Sequence, residues 1–395
     1  VSFQRKILAW IGLERKSLAY PDAALFELFG AQPSASGISV SPRTAMQCAP
    51  VRCAVQVIAE AIGQLPVHVY RRTSADAKER APDHPAFKLL HDDANEWTPA
   101  SQFREEVTRD ALLHRDGGFG FVNFVGAKPV ELFRLDPDTV QVNRDQVTGE
   151  PSYKVNGSAV ARTNILHIPS PSLCGRGLVQ DAREAIALAL ILERHAAQLF
   201  GNGARPSGVL SLKGNVSPDA LGKAKASWQA AHGGSKAGGT AVIPADAQWQ
   251  ALVLSSVDAQ FLELRKFTIE EIARVFRVPP IFLMEYGRAT WGNSEEMGRQ
   301  FLTYSLLPWI KRWEGELRLK LFTPAERDTF FAEFQIDAFT RADFATRMDG
   351  YAKAIAARIL NPNEARAAEN RPPYAGGERF ENPNTAAAPT EQVAA

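Results

Sequence analysis

The residues best able to do covalent chemistry are few, and none stands in a complete arrangement. His114, Arg115 and Asp116 reproduce the triplet with which kinases orient a hydroxyl nucleophile, but no spaced Asn, no Asp-Phe-Gly and no Gly-rich loop with a Lys-bearing strand accompanies them. The triplet predicts a helix end and a turn. Gly233-Gly234-Ser235-Lys236-Ala237 misses the nucleophile elbow at its last position and lacks the strand-to-helix setting that exposes such a serine. It predicts a loop. A phosphate cradle needs GxxxxGK[ST], whereas the sole Gly-Lys pair, Gly222-Lys223, is followed by Ala224 inside a helical pattern. Any ATP hydrolysis therefore belongs to a partner. Cys48, Cys53 and Cys174 are an odd, scattered set, and the seven histidines include no HExxH, so the sequence predicts no disulfide framework, no metal and no cofactor.

Non-covalent chemistry is better represented. Residues 204–254 hold five basic side chains (Arg205, Lys213, Lys223, Lys225, Lys236) against Asp219 and Asp246, a local net of +3. An acidic partner or DNA could dock there, and a solvated helix face would read the same way. The loop from Glu285 to Asn293 mixes Arg288, Thr290 and Trp291 with two glycines; it is either a plain surface loop or one whose polar side chains touch phosphates. The whole chain carries +1, from 45 basic and 44 acidic residues. That balance excludes a tight nucleic-acid binder, which gains affinity by neutralising many phosphates, but it suits a wall past which phosphates slide.

The elements that must position these residues follow from periodicity. The 395 residues are enough for two or three domains, and 45% hydrophobic with 23% charged residues is a globular balance. Val51, Ala54, Val55, Ile58 and Ile62 share one helical face, with Pro50 at its start and Gly63 helping to end it. A strand at Pro66–Arg71, a helix through Phe103, Val107, Ala111 and His114, and strands at Phe119–Val125, Val130–Leu135, Val140–Asn143 and Tyr153–Val155 make the first 175 residues α+β. Leu178–Phe200 contains no Pro or Gly and predicts one continuous helix. Asp258–Phe276 predicts a second, with Phe261, Leu264, Ile269 and Ile272 or Ala273 as its apolar positions. Between them lie a strand at Gly208–Leu212, a helix capped by Ser217, a Gly-rich loop at 233–239, and strands at Thr240–Ile243 and Trp249–Leu254. Pro279-Pro280 stops the second helix, and a new one begins at Asn293 or Ser294. It carries Trp309, Trp313, Leu317 and Leu321 as a stripe and is kinked by Pro308, which lacks a donor and crowds the Tyr304 carbonyl. A strand at Phe330–Ile336 and a helix bearing Phe344, Met348, Tyr351 and Ile355 complete the ordered part, before a disordered tail from 382. No apolar run is long enough to span a bilayer, and Phe3, Ile7 and Ile11 predict an amphipathic N-terminal arm.

These elements and certain motifs resemble the portal proteins of tailed double-stranded-DNA phages, in the short family of long-tailed phages and phage-like gene transfer particles. The matching residues are Ala182-Arg183-Glu184-Ala185-Ile186, Phe200 through Gly208, Asp258 through Glu263 with Arg265-Lys266-Phe267, Glu271 through Arg274 before Val278-Pro279-Pro280, Pro308-Trp309, and Asn361 through Arg366. Where relatives read Tyr-Ser-Asn-x-Glu, this chain has Trp291-Gly292-Asn293-Ser294-Glu295. The resemblance implies an elongated subunit: arm and wing at 1–175, first stem helix at 176–203, an α/β clip at 204–254, second stem helix at 255–278, tunnel loop at 279–296, kinked helix and wing at 297–339, a short helical crown at 340–375 and a tail at 376–395. It also implies a dodecameric ring at one capsid vertex of a virion assembled in a bacterial cytoplasm. Double-stranded DNA would pass through its channel. The terminase motor and then adaptor and tail proteins would dock on it, with the major capsid protein around it and no membrane involved. Glu285, Arg288, Thr290, Trp291 and Asn293 would belong to the tunnel loop, and Lys223, Lys225, Trp228 and Lys236 to the docking face of the clip. The alternatives are a non-ring cytosolic nucleic-acid-binding scaffold and, third, an enzyme dependent on Asp116 or Ser235.

Overall fold

The computed structural model describes residues 32–74, 77–201, 208–212, 217, 219, 222–223, 226, 247–251, 255–286, 291–336, 344–369 and 371–382. The expected N-terminal arm, the Gly-rich loop at 233–239, the strand Thr240–Ile243 and residues 383–395 of the expected tail lie outside the described residues, whereas 376–382 are described. Two units divide the chain, residues 1–334 and 335–395.

The first unit runs α1 (Ala49–Gln64), β1 (Val67–Arg72), β2 (Lys78–Arg80), α2 (Pro85–His91), α3 (Ala100–Leu113), β3 (Gly118–Val125), β4 (Lys128–Leu135), β5 (Val140–Arg144), β6 (Pro151–Val155), β7 (Ser158–Val160) and β8 (Ile165–Ile168). It continues with α4 (Arg183–Gly201), β9 (Gly208–Leu212), β10 (Ala247–Ala251), α5 (Ser255–Phe276), α6 (Trp291–Gln300), α7 (Leu307–Leu321) and β11 (Phe330–Phe334). The sheets are antiparallel and small, with orders β8-β3-β4, β7-β6-β5, β11-β1-β2 and β9-β10. Strand β11 returns from the far end of the unit to pair Phe330 with Arg71 and Phe334 with Val67.

Val51, Ala54, Val55, Ile58 and Ile62 are fully buried along α1, as their spacing requires. The helix stops because Pro66 keeps the residue before it out of the helical region, and Leu65 is extended at φ −66°, ψ 121°. Gly63 lies inside the helix rather than ending it. A Cβ there would stand 3.0 Å from the Ser101 carbonyl oxygen and 3.1 Å from Cβ of Glu105, so this glycine lets α1 and α3 meet at close range.

Helix α3 buries Phe103, Val107 and Ala111, and also three polar side chains, Arg104, Thr108 and Asp110. Each ties a different element to it. Arg104 donates to the carbonyls of Leu90 at 2.7 Å, Gly63 at 2.9 Å and Leu65 at 3.1 Å, and burial lowers its pKa to about 10. Thr108 accepts the indole N–H of Trp313 at 3.0 Å, fastening α7. Asp110 accepts both arms of Arg134 on β4, at 2.6 and 3.0 Å. The stripe Trp309, Trp313, Leu317 and Leu321 is buried along α7.

The continuous helix expected over Leu178–Phe200 is broken. A single turn at Leu178–Asp181 ends at Ala182 (φ −90°, ψ 3°) before α4 begins. Helix propensity loses here to tertiary ties on that first turn. Ser172 donates to the Asp181 carboxylate at 2.6 Å, Arg176 lies 3.5 Å from it, and Gly177 (φ +84°) packs on the Arg115 backbone. The 19 residues of α4 and 22 of α5 give rods of about 28 and 33 Å. They lie against each other, with the rings of His195 and Phe261 6.0 Å apart.

The second unit contains α8 (Phe344–Ala356) and α9 (Pro362–Ala368). Asn361 and Glu364 cap α9 reciprocally, with bonds of 2.9 and 2.8 Å. Glu369 accepts from Arg347 at 3.0 Å and from Tyr351 at 3.2 Å, joining the two helices.

Candidate functional site

The candidate site is the turn that ends α5 and the segment leading to α6. Ile272, Ala273 and Phe276 are buried, and the helix closes with Val278 N–H bonded to the Ala273 carbonyl at 2.9 Å while Arg277 takes a left-handed conformation at φ 58°. This closure is one usually made with glycine, and an L residue there is strained by about 1 kcal/mol or more. The hydroxyl of Ser305 donates to the Arg277 carbonyl and holds the conformation. Pro280–Leu283 forms one 3-10 turn, Met284 is again left-handed at φ 62°, and Glu285 N–H returns to the Pro280 carbonyl at 3.1 Å. The Cys53 thiol on α1 donates to the Phe282 carbonyl at 3.2 Å, and Phe282 packs on Phe301 with ring centres 4.8 Å apart. The root of the loop is thus clamped between α1 and the segment before α7.

That segment, Phe301–Leu306, is π-helical, with Leu307 N–H reaching back to the Leu302 carbonyl. Pro308 then falls in the first turn of α7. The wider π turn gives the proline ring room beside the Tyr304 carbonyl, which a regular ladder would crowd. A cleft of about 340 Å³ opens between the end of α5 and this segment, lined by Ala273, Val278 and Pro279 together with Arg277, Gln300 and Tyr304. Arg312 stacks over the Trp309 ring at 5.2 Å, and burial together with the charge of Arg277 lowers its pKa.

Of the expected loop residues, Glu285 is half-buried at this root, whereas Arg288 and Thr290 lie outside the described residues. Trp291 and Asn293 belong to the first turn of α6. The helix begins ahead of the Asn293 or Ser294 cap expected for it. A polar cap favours an end by only about 1 kcal/mol and does not forbid another turn. In the region between α4 and α5, Lys223 is helical and exposed, and Lys225, Trp228 and Lys236 lie outside the described residues. Strands β9 and β10 pair from Gly208 with Ala251 to Leu212 with Ala247.

Sequence reasoning missed Arg277 and Ser305, since a left-handed arginine carries no mark in the sequence. It placed the apolar positions of α5, but Leu264 is 39% exposed, and Leu262 and Phe267 are 60% and 49% exposed. The His114-Arg115-Asp116 triplet is packing: Arg115 donates to the Gly175 carbonyl at 3.2 Å, and the Asp116 carbonyl accepts from His167 Nε2 at 2.6 Å. Burial holds His167 below its usual pKa; its neutral Nδ1 accepts from the Tyr153 hydroxyl at 3.0 Å. Ser235 lies outside the described residues. Among the described residues no group of three His, Cys, Asp or Glu could hold a metal ion, and no helix is long and apolar enough to cross a membrane.

An α+β body, two long helices with a strand pair between them, and apolar residues left uncovered along one of those helices define a structural subunit made for assembly. The chain belongs to the phage portal protein family, whose profile matches residues 49–370. It is 29% identical over 392 residues to the probable portal protein of Streptomyces phage phiC31, covering 93% of this chain and 83% of that one. Over 362 residues it is 25% identical to the portal protein of Enterobacteria phage HK97, covering 86% and 82%. Among solved structures, the neck of a native gene transfer agent particle computed with C12 symmetry shares the fold, with a TM-score of 0.57 at 22% identity over 94% of this chain and 100% of that one. Membership agrees with the resemblance in the motifs and gives no support to the non-ring scaffold.

Proposed function

We propose that copies of this chain close head-to-tail into a twelve-membered ring at one vertex of a virion, and that double-stranded DNA passes through the hole. In this reading residues 1–175 and 297–339 are wing, 176–203 and 255–278 stem, 204–254 clip, 279–296 tunnel loop and 340–375 crown. The clip face around Lys223, Lys225, Trp228 and Lys236 receives the terminase motor and later adaptor and tail proteins. The wing meets the major capsid protein, and chemical energy comes from the motor.

The observation that carries the ring is the set Leu262, Leu264 and Phe267 on α5, exposed in a single chain although α4 lies alongside. Leu264 and Phe267 share one side of the helix and Leu262 lies on the opposite side. Apolar residues uncovered on two sides of a long helix call for protein neighbours, and in a closed ring copies of the same chain supply them. The C12-symmetric neck of the similar particle supports the count of twelve. Near-neutral charge supports a conduit, since a strongly cationic lumen would hold phosphates in place. Electron microscopy of the purified chain tests this: closed rings with an axial hole are expected, and particles with no hole under every assembly condition would refute it.

A further inference from the structure

Arg277 at the end of α5 and Arg312 on α7 lie near each other. Arg274 is held by Glu270 at 2.9 Å and Glu271 at 3.1 Å, but neither Arg277 nor Arg312 makes an ion pair among the described residues. Arg312 is half-buried against Trp309 and close enough to Arg277 to feel its charge. Like charges placed together, one of them (Arg312) partly removed from water while Arg277 stays exposed, are unfavourable unless an anion joins them. The adjoining cleft is lined by Arg277 and by the apolar side chains of Ala273, Val278 and Pro279, and also by the mutually paired Glu270 and Arg274. A fitting occupant is therefore apolar along its length and carries one acid.

The chain displays such a segment. Met284 and Tyr286 are 69% and 57% exposed, the Tyr286 hydroxyl rests on the Met284 sulfur at 3.1 Å, and Glu285 between them has no ion-pair partner among the described residues. It does not fill its own cleft, whose lining stops at Pro280, because the 3-10 turn and the bond from Glu285 N–H to the Pro280 carbonyl close the loop first. Head-to-tail rings give every copy two different faces, so that each can donate a plug and receive one. We infer that the cleft of one copy is completed by Met284-Glu285-Tyr286 of the next, with the Glu285 carboxylate meeting Arg277. This rests on the ring reading. A DNA phosphate is the weaker candidate, because two neighbouring arginines would bind it tightly and stall the strand that a conduit must release.

The test co-assembles two full-length chains, one with Arg277→Cys and the other with Glu285→Cys, and treats them with a short bismaleimide linker. A cross-link between the two is intermolecular by design, and each variant alone controls for Cys48, Cys53 and Cys174. Linked dimers from the mixture only are expected; rings that form from it without them overturn the inference. Arg277→Glu and Glu285→Arg should each lower ring yield about tenfold, and combining them in one chain should restore it. Failure of that restoration overturns the inference, as does an Arg277→Glu ring of normal yield that loses DNA affinity, which would assign the cleft to nucleic acid. If the unaltered chain forms no ring, the ring reading itself fails.

Discussion

Arg277 places two opposed demands on one residue, and substituting it should separate them. Its left-handed backbone (φ 58°) favours glycine, while its side chain borders the cleft and has no ion-pair partner among the described residues. Arg277→Ala and Arg277→Gly both remove the charge, but only glycine also relieves the backbone. Relief of a non-glycine left-handed residue amounts to about 1–2 kcal/mol, and the greater freedom of glycine in the unfolded chain subtracts about 0.4–1 kcal/mol. The glycine variant should therefore be more stable than the alanine variant by about 0.5–1 kcal/mol, a small but resolvable shift in the urea midpoint measured on dilute, unassembled protein. Ring yield should fall equally in the two, because both lack the guanidinium. A glycine variant less stable than alanine would refute the strain argument. Rings at the unaltered yield in both variants would refute the role given to the side chain.

Arg104→Met leaves the carbonyls of Gly63, Leu65 and Leu90 without their buried donor and should destabilise the first unit by about 3–5 kcal/mol in denaturant titrations; a loss below about 1 kcal/mol would show that the clamp is dispensable. His68 is buried in a cluster with the rings of Phe87 and His91, and burial, then the charges of Arg80 and His91, push its pKa from 6.5 to about 4. Because the unfolded chain takes up this proton first, the stability tied to His68 is intact above pH 6.5 and is lost as pH falls towards about 4, by up to about 3 kcal/mol. His68→Phe keeps the stack and should flatten that part of the stability profile, and an unchanged profile would contradict it. The pair Leu262→Ser and Leu264→Ser should leave single-chain stability within about 0.5 kcal/mol while abolishing rings in sedimentation velocity; rings at normal yield would place the subunit contact elsewhere.

Much of the fold was legible because period and burial agree. The α1 face Val51, Ala54, Val55, Ile58, Ile62 and the α7 stripe Trp309, Trp313, Leu317, Leu321 are buried as written. Strands β2, β7 and β8 and helix α2 were not legible. They are short, and Ile165–Ile168 is buried at every position, so no alternation marks it. The break at Ala182 depends on Asp181 meeting Ser172 and Arg176, contacts that helix propensity cannot register. The loop root was legible in outline, since Pro279-Pro280 had to stop α5. Its geometry was not: left-handed Arg277 is stabilised by a hydroxyl 28 residues away. Gly63 shows the same limit, because a helix-ending glycine and a close-packing glycine look alike until the neighbouring helix is in place.

The most direct test of a twelve-membered ring is the mass of the intact assembly. Native mass spectrometry of the purified full chain should show a dominant species at twelve times the 43.2 kDa chain mass, with partial rings as minor forms. A single species at 43.2 kDa across all concentrations and salts, or an open ladder of sizes without closure, would contradict it.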